Sequence, residues 1–187
     1  MPDLPPTIID APLILTLLLD EEAQQHFDQL RTAHFPPARN YLRAHITLFH
    51  HLPGADHASI AQQLQAIAAA TPPLPLRVAG VRFLGQGVAY FLENDQLRQL
   101  HHELQTRWAA TLRPQDIQPL RPHITVQNKV AAAVARTLYE QLSADFEPYN
   151  VTGTGLALWA YRGGPWEALA QFPFEGKGEL DLTGGQQ

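Results

Sequence analysis

The chain of 187 residues has no cysteine, one methionine and only two lysines, Lys129 and Lys177. Without cysteine there is no disulfide framework and no thiolate metal site, and a reducing compartment is allowed. Charge is sparse at 17% of residues and leans acidic, with a formal net charge of −5. That balance argues against a long nucleic-acid duplex as the main partner, because such a partner favours a basic face. Long apolar runs are missing as well. The strongest, Leu13–Leu19, follows Asp3 and Asp10 rather than basic residues. It is far shorter than the ~20 residues of a membrane span, so it reads as a buried strand, neither signal peptide nor anchor. A cytoplasmic protein that does not engage membranes is expected. With 45% apolar residues, the length suits one domain or two closely fused lobes. Eleven of the 13 basic residues are arginine, which suits bidentate phosphate binding but is also what a plain composition bias would give.

What the chain does have is a phrase written twice. Leu42-Arg43-Ala44-His45-Ile46-Thr47 recurs 78 residues later as Leu120-Arg121-Pro122-His123-Ile124-Thr125. With nine histidines, twelve threonines and two serines, chance gives roughly 0.7 pairs of His followed two residues later by Thr or Ser. One decoy, His57-Ala58-Ser59, is present; it lacks the apolar frame, and Ser59 reads as a helix N-cap with Gln62 completing a capping box. Five identities in six ordered positions mean duplication. On a strand, alternate side chains share a face, so Arg43, His45 and Thr47 fall on one side and Ala44, Ile46 and Leu48 on the other. Arg121, His123 and Thr125 repeat this against Ile124 and Val126.

The surrounding elements repeat too. A strand at Leu13–Leu19 precedes a helix capped by Asp20 that runs to about His34, with Glu21 and Glu22 suiting its first turn. The first motif strand is expected over Leu42–Phe49. Ser59 would open a helix with Ile60, Leu64 and Ile67 on one face, stopped by Thr71-Pro72-Pro73. Leu74–Leu84 and Val88–Glu93 form a hairpin around Gly85-Gln86-Gly87, with a bulge at Ala79-Gly80. The second half offers a helix from Asn94 or Asp95, with Leu97, Leu100, Leu104 and Trp108 in a stripe. A motif strand over Leu120–Gln127, a helix capped by Asn128, and a hairpin of Val151–Tyr161 with Trp166–Phe174 follow. The expectation is one α+β domain over residues 10–175, with duplicated halves of about 10–93 and 88–175 and a polar tail from 176 to 187. Two pseudo-symmetric lobes of antiparallel sheet would face each other across a central cleft, helices outside, the motif strands central.

Those residue types suit phosphodiester chemistry. In-line displacement needs a base on the attacking oxygen, an acid on the leaving oxygen, and donors for charge growing on the phosphoryl oxygens. An unperturbed imidazole, with pKa about 6.5, allows one copy neutral and its twin protonated near pH 7. His45 and His123 fill both roles. Thr47 and Thr125 can donate to phosphoryl oxygens, and Arg43 and Arg121 are candidates to neutralise phosphate charge. The paired histidines His50-His51 and His101-His102 invite a metal reading, but strand neighbours face opposite ways and no His-x-x-x-His stands beside a carboxylate. No metal or other cofactor is expected. Of the hairpin aromatics Trp159, Tyr161 and Trp166, Tyr161 is the candidate for stacking on a base, since hairpin aromatics are more often core.

A paired His-x-Thr motif on duplicated halves resembles the two-histidine (2H) phosphoesterase superfamily, in particular its 2′-5′ RNA ligase-like branch. The resemblance runs over about residues 10–175, and Arg121-Pro122-His123-Ile124-Thr125 is similar to the family's second motif. The Gly155–Phe174 hairpin is also similar to bacterial members. Gln127-Asn128-Lys129 departs from the small apolar residues usual at that point. The resemblance implies a metal-independent phosphodiesterase hydrolysing 2′,3′-cyclic or related cyclic phosphates at nucleotide or RNA ends, usually to a 2′-phosphate. It also implies His123 as base on water and His45 as acid on the 3′ oxygen. The rivals are 2′-5′ ligation or cleavage in the same site, a nucleotide-binding module without catalysis, and a metal-dependent hydrolase. The expected partner is a small nucleotide or RNA terminus carrying a cyclic phosphate, bound by a monomer.

Overall fold

The computed structural model describes residues 9–177. Most of the proline-rich start and of the Gly-rich tail therefore lies outside the described residues. Within them the chain runs β1 (Leu13–Leu19), α1 (Glu21–His34), β2 (Ile46–Leu52), α2 (His57–Ala70) and β3 (Leu74–Phe83). It then repeats the pattern as β4 (Val88–Glu93), α3 (Asp95–Trp108), β5 (His123–Gln127), α4 (Ala132–Ala144) and β6 (Tyr149–Ala160), before β7 (Glu167–Pro173). The class is α+β, as the sequence pattern leads one to expect.

Caps and stripes explain the helices. Asp20 accepts the Ala23 N–H at 2.9 Å and Asn94 the Leu97 N–H at 2.6 Å, so α1 and α3 begin where their side-chain acceptors stand. Ala23, Phe27 and Arg31 are buried four residues apart along α1; Leu97, Leu100, Leu104 and Trp108 are buried along α3. Two expected caps are displaced. A 3-10 turn over Gly54–Asp56 starts α2 at His57, so Ser59 lies inside the first turn and its hydroxyl accepts from Gln63 instead. Asn128 gives its side-chain oxygen to the neighbouring Lys129 N–H, and Lys129 takes a left-handed φ of 61°. Helix α4 starts only at Ala132.

Every strand pairing is antiparallel. The order is β2-β1-β6-β3-β4-β5, with β7 also on β6. Read from either end it is the same sequence of first-half and second-half equivalents, a pseudo-twofold passing between β6 and β3. Each half lends its last strand to the other, β6 pairing with β1 and β3 with β4. The two lobes are consequently one hydrogen-bonded sheet rather than two facing ones. The 12-residue β6 makes this possible, with Tyr149–Gly153 taking β3 and Gly155–Ala160 taking β7.

The motif strands β2 and β5 are not central; they are the two ends of this order. Sheet twist and curl bring the ends together, so that β2 and β5 lie within 8 Å between Cα atoms. Two buried basic side chains tie down the strand edges thus exposed. From α1, Arg31 donates through Nη1 to the Thr125 carbonyl of β5 at 2.7 Å. From α3, His101 donates through Nε2 to the Leu48 carbonyl of β2 at 3.0 Å. Each half's helix therefore holds the other half's motif strand. The inward face is as expected: Ala44, Ile46, Leu48, Ile124 and Val126 are all buried in one core.

Candidate active site

His45 immediately precedes β2 and His123 opens β5. The motif strands are shorter at their starts than the alternation suggests. Side chains of α1 capture the backbone of residues 42–44: Asp28 accepts the Ala44 N–H at 2.7 Å, Gln24 donates to the Ala44 carbonyl at 2.8 Å, and Arg31 donates to the Leu42 carbonyl at 3.2 Å. In the second copy Pro122 has no N–H to give, and its carbonyl accepts from Leu92 at 2.9 Å.

Both imidazoles are held by the same contact. His45 Nδ1 donates to the Arg43 carbonyl at 2.7 Å, and His123 Nδ1 to the Arg121 carbonyl at 2.9 Å. A carbonyl accepts only, so each ring carries its proton on Nδ1 when neutral, and Nε2 is left for chemistry. The hydroxyls of Thr47 and Thr125, half-buried beside them, make no hydrogen bond to protein among the described residues.

Two hollows flank the pair. The one against His45, about 240 Å³, is largely apolar and is walled by Tyr41, Leu42, Trp159, Pro165 and Trp166, with Thr16, Gln24, Arg43 and Gln171 as polar groups. The other, about 340 Å³, contains Thr47 and His123 and is walled by His50, His101, Arg121 and two glutamines. The Trp166 ring lies 4.7 Å from the His45 ring, centroid to centroid. The hairpin that delivers it turns through Gly163 at φ 86°, a conformation that favours glycine, and is clasped by Arg162 on Glu167 at 2.7 Å.

This cover has an electrostatic consequence. Burial lowers the His45 pKa from 6.5 to about 4, against the favourable Arg43 carbonyl and helped by the positive charges of Arg31, His123 and His50. His45 is therefore neutral at neutral pH. Thr47 of the first motif and His123 of the second line one hollow, which is how the structure brings the two motifs together. The nearby guanidinium of Arg31 is itself 4% exposed and stacks over Phe35 at 4.2 Å.

The remaining sequence candidates separate. Arg43 is bound through Nε to Asp28 at 2.8 Å, a local carboxylate, and points its charge there. Arg121 is exposed, borders the hollow of His123, and forms no ion pair among the described residues. Tyr161 lies past the end of β6, 43% exposed, and walls neither hollow at the histidines; Trp166 and Trp159 stand there instead. Spacing alone misses three further groups. Trp166 is set over His45 by a turn, Arg31 comes from α1, and Asp116 comes from the Pro114–Pro119 loop, where it binds His50. Among the described residues no three His, Cys, Asp or Glu side chains converge as metal ligands.

A curled antiparallel sheet bringing two equivalently anchored histidines to its seam is the arrangement expected of a two-histidine phosphoesterase. A family model described as the 2′-5′ RNA ligase superfamily matches residues 19–165, and the chain belongs to that superfamily. Solved structures agree in fold. TT0787 of Thermus thermophilus is 16% identical with a TM-score of 0.63, covering 89% of this chain and 100% of that one. LigT of E. coli, in its complex with NADP+, is 21% identical with a TM-score of 0.54, covering 88% and 98%. A structure described as a phosphoesterase is 20% identical with a TM-score of 0.51, over 88% and 98%. No curated protein matches the sequence.

Proposed function

We propose that this enzyme hydrolyses 2′,3′-cyclic or related cyclic phosphates at nucleotide or RNA ends, using His45 and His123 as the acid–base pair and no metal. The observation that carries the reading is the identical anchoring of both rings, each Nδ1 on the carbonyl two residues upstream. It supports Nε2 as the reacting atom of each ring. The apolar hollow beside His45, with Trp159 and Trp166, suits a nucleobase. LigT of E. coli has been solved with 3′-AMP bound, which supports a nucleotide as the ligand here.

With the nucleoside on that side, the ribose oxygen leaves next to His45 and water attacks from the side of His123. His123 Nε2 takes a proton from the water as its oxygen bonds to phosphorus. The bond from phosphorus to the 3′ oxygen breaks, and His45 Nε2 gives that oxygen its proton, leaving a 2′-phosphate. Thr47 and Thr125 donate to the phosphoryl oxygens as charge builds there. The anionic substrate draws a proton onto the buried His45, which is neutral before binding.

The test is turnover of nucleoside 2′,3′-cyclic phosphates in the presence of EDTA. His45→Ala and His123→Ala should each lose roughly 10²–10⁴-fold in kcat with unchanged circular dichroism. Thr47→Val and Thr125→Val should lose less, on the order of tenfold or more. Activity abolished by the chelator, or retained in either histidine variant, refutes the mechanism. Nucleotide binding without turnover would identify a binding module.

A further inference from the structure

Strand alternation from His45 and Thr47 would turn Phe49 to the cleft and His50 to the core. The structure reverses the two. Adjacent Thr16 and Leu15 of β1 pair with Thr47 and Phe49 of β2, so β2 carries an extra residue there, and Leu48 and Phe49 are both buried. Past this bulge the His50 side chain is 44% exposed and lines one hollow with Thr47 and His123. Strand β5 has the same bulge, with Val88 and Ala89 paired to Gln127 and Thr125, and with Val126 and Gln127 buried in succession. The position equivalent to His50, 78 residues on, is Asn128, whose side-chain oxygen is given to the Lys129 N–H. The duplicated scaffold offers this place twice, and only the first half fills it with an imidazole.

That imidazole is anchored from a separate element. Asp116, 2% exposed, accepts the backbone N–H groups of His50 and His51 at 2.8 and 2.9 Å, and His50 Nδ1 lies 3.1 Å from its Oδ1. Burial alone would raise this carboxyl; the His50 ring and the two backbone donors outweigh it and hold Asp116 below the usual carboxylate range. An ionised carboxylate only accepts, so His50 presents Nδ1–H to it, and Nε2 is left for the hollow that the ring borders. Of the other basic groups lining this hollow, Arg121 can only donate. His101 is 3% exposed, with Nε2 on the Leu48 carbonyl and its ring stacked on Phe49 at 4.5 Å. His50 and His123 are the two rings there with Nδ1 engaged and Nε2 left over.

We propose that His50 is a catalytic residue of the water side, its Nε2 accepting a hydrogen bond from the attacking water while His123 takes the water's other proton. Asp116 is a positioning residue that acts through His50 by fixing the ring. The inference rests on the hydrolytic reading of the cleft and deepens it. Water has two hydrogens, and an acceptor for each leaves an oxygen lone pair to face phosphorus, which is the orientation the displacement needs. In the step, one O–H bond breaks as its proton passes to His123 Nε2, and the oxygen bonds to phosphorus. The bond from phosphorus to the 3′ oxygen breaks as His45 protonates that oxygen. The second hydrogen stays on the incoming oxygen and points at His50 Nε2, so nothing of the nucleoside has to reach this side.

The test is steady-state turnover of a nucleoside 2′,3′-cyclic phosphate in EDTA, paired with calorimetric affinity for the nucleoside 2′-phosphate. His50→Phe keeps a ring and removes the acceptor. It should lose roughly 10–100-fold in kcat, the scale on which misplacing a reactant is felt. KM and product affinity should stay within about twofold of the wild type, because the contact is made to water and not to the nucleotide. His50→Gln, which sets an amide oxygen near the Nε2 position, should recover at least about threefold in kcat over His50→Phe. A part that is only packing gives the reverse order, with His50→Phe the milder variant. In NMR the neutral His50 ring should carry its proton on Nδ1. Wild-type kcat in His50→Phe, a loss confined to KM, the reversed order of the two variants, or a neutral ring protonated on Nε2 overturns the assignment and leaves the hydrolytic reading standing. Absence of turnover by the wild-type protein sinks that reading, and the role of His50 with it.

Discussion

Replacing Trp166 by alanine tests the electrostatic asymmetry of the cleft most directly. Between a solvated imidazole at 6.5 and His45 at about 4, proton binding weakens about 300-fold. Burial is the largest cause, and the indole 4.7 Å away is one of the groups that impose it. An aromatic face can also favour an imidazolium by roughly 0.5–2 kcal/mol, which would act in the opposite direction. The net effect at His45 is a lowering that overcomes even its hydrogen bond to the Arg43 carbonyl, so desolvation dominates. Trp166→Ala should therefore raise the His45 pKa by roughly one pH unit, while the repulsion from Arg31, His123 and His50 stays. Trp166→Phe, which keeps a cover, should stay near the wild type. The assay is a pH titration of the His45 ring nitrogens by NMR, paired with the acid limb of kcat/KM. That limb marks the point where both imidazoles are protonated and no base remains, whichever ring plays which part. Folding should show the same linkage. The unfolded chain takes up the proton first, so stability is complete above about pH 6.5 and declines as pH falls toward about 4. A wild-type midpoint near 6.5, or a Trp166→Ala midpoint that fails to rise, refutes the reasoning.

Two further perturbations address the scaffold. Arg31→Ala removes the buried guanidinium that joins α1 to the Thr125 and Leu42 carbonyls and to Asn40. It should cost about 2 kcal/mol in urea unfolding, because those partly buried acceptors lose a charged donor. A loss below about 0.5 kcal/mol would show that the seam does not depend on it. Gln127 is 4% exposed and its Oε1 has no hydrogen-bond partner among the described residues. Gln127→Met should raise stability by roughly 1 kcal/mol on thermal unfolding, and a marked destabilisation would mean the amide has a partner in solution.

Much of the fold could be read from local rules. Asp20 and Asn94 announced their helices because an N-cap acts over three residues, and the β3–β4 and β6–β7 hairpins were marked by glycine-bearing turns. Ser59 and Asn128 carried the same chemistry and misled, since a 3-10 turn and a left-handed Lys129 took the positions they would have capped. His45, His123, Thr47 and Thr125 stand out in the sequence because duplication writes them twice, and the structure sets both rings on matching carbonyl anchors. Strand parity points to Tyr161, whereas Trp166 stands over His45, because parity says which face a side chain takes but not which element folds across it.

The sequence by itself determined the duplication, the α+β class, the buried face of each motif strand and the identity of the paired imidazoles. All of these depend on residue type and on spacings of a few positions along the chain. Only the tertiary structure decided that β2 and β5 are edges brought together by curl and that Arg31 and His101 hold them. It alone placed Trp166 over His45 and Asp116 behind His50. Those are contacts between residues up to 121 positions apart. Curl, burial and the field at a ring depend on how the whole sheet closes, which no local pattern encodes.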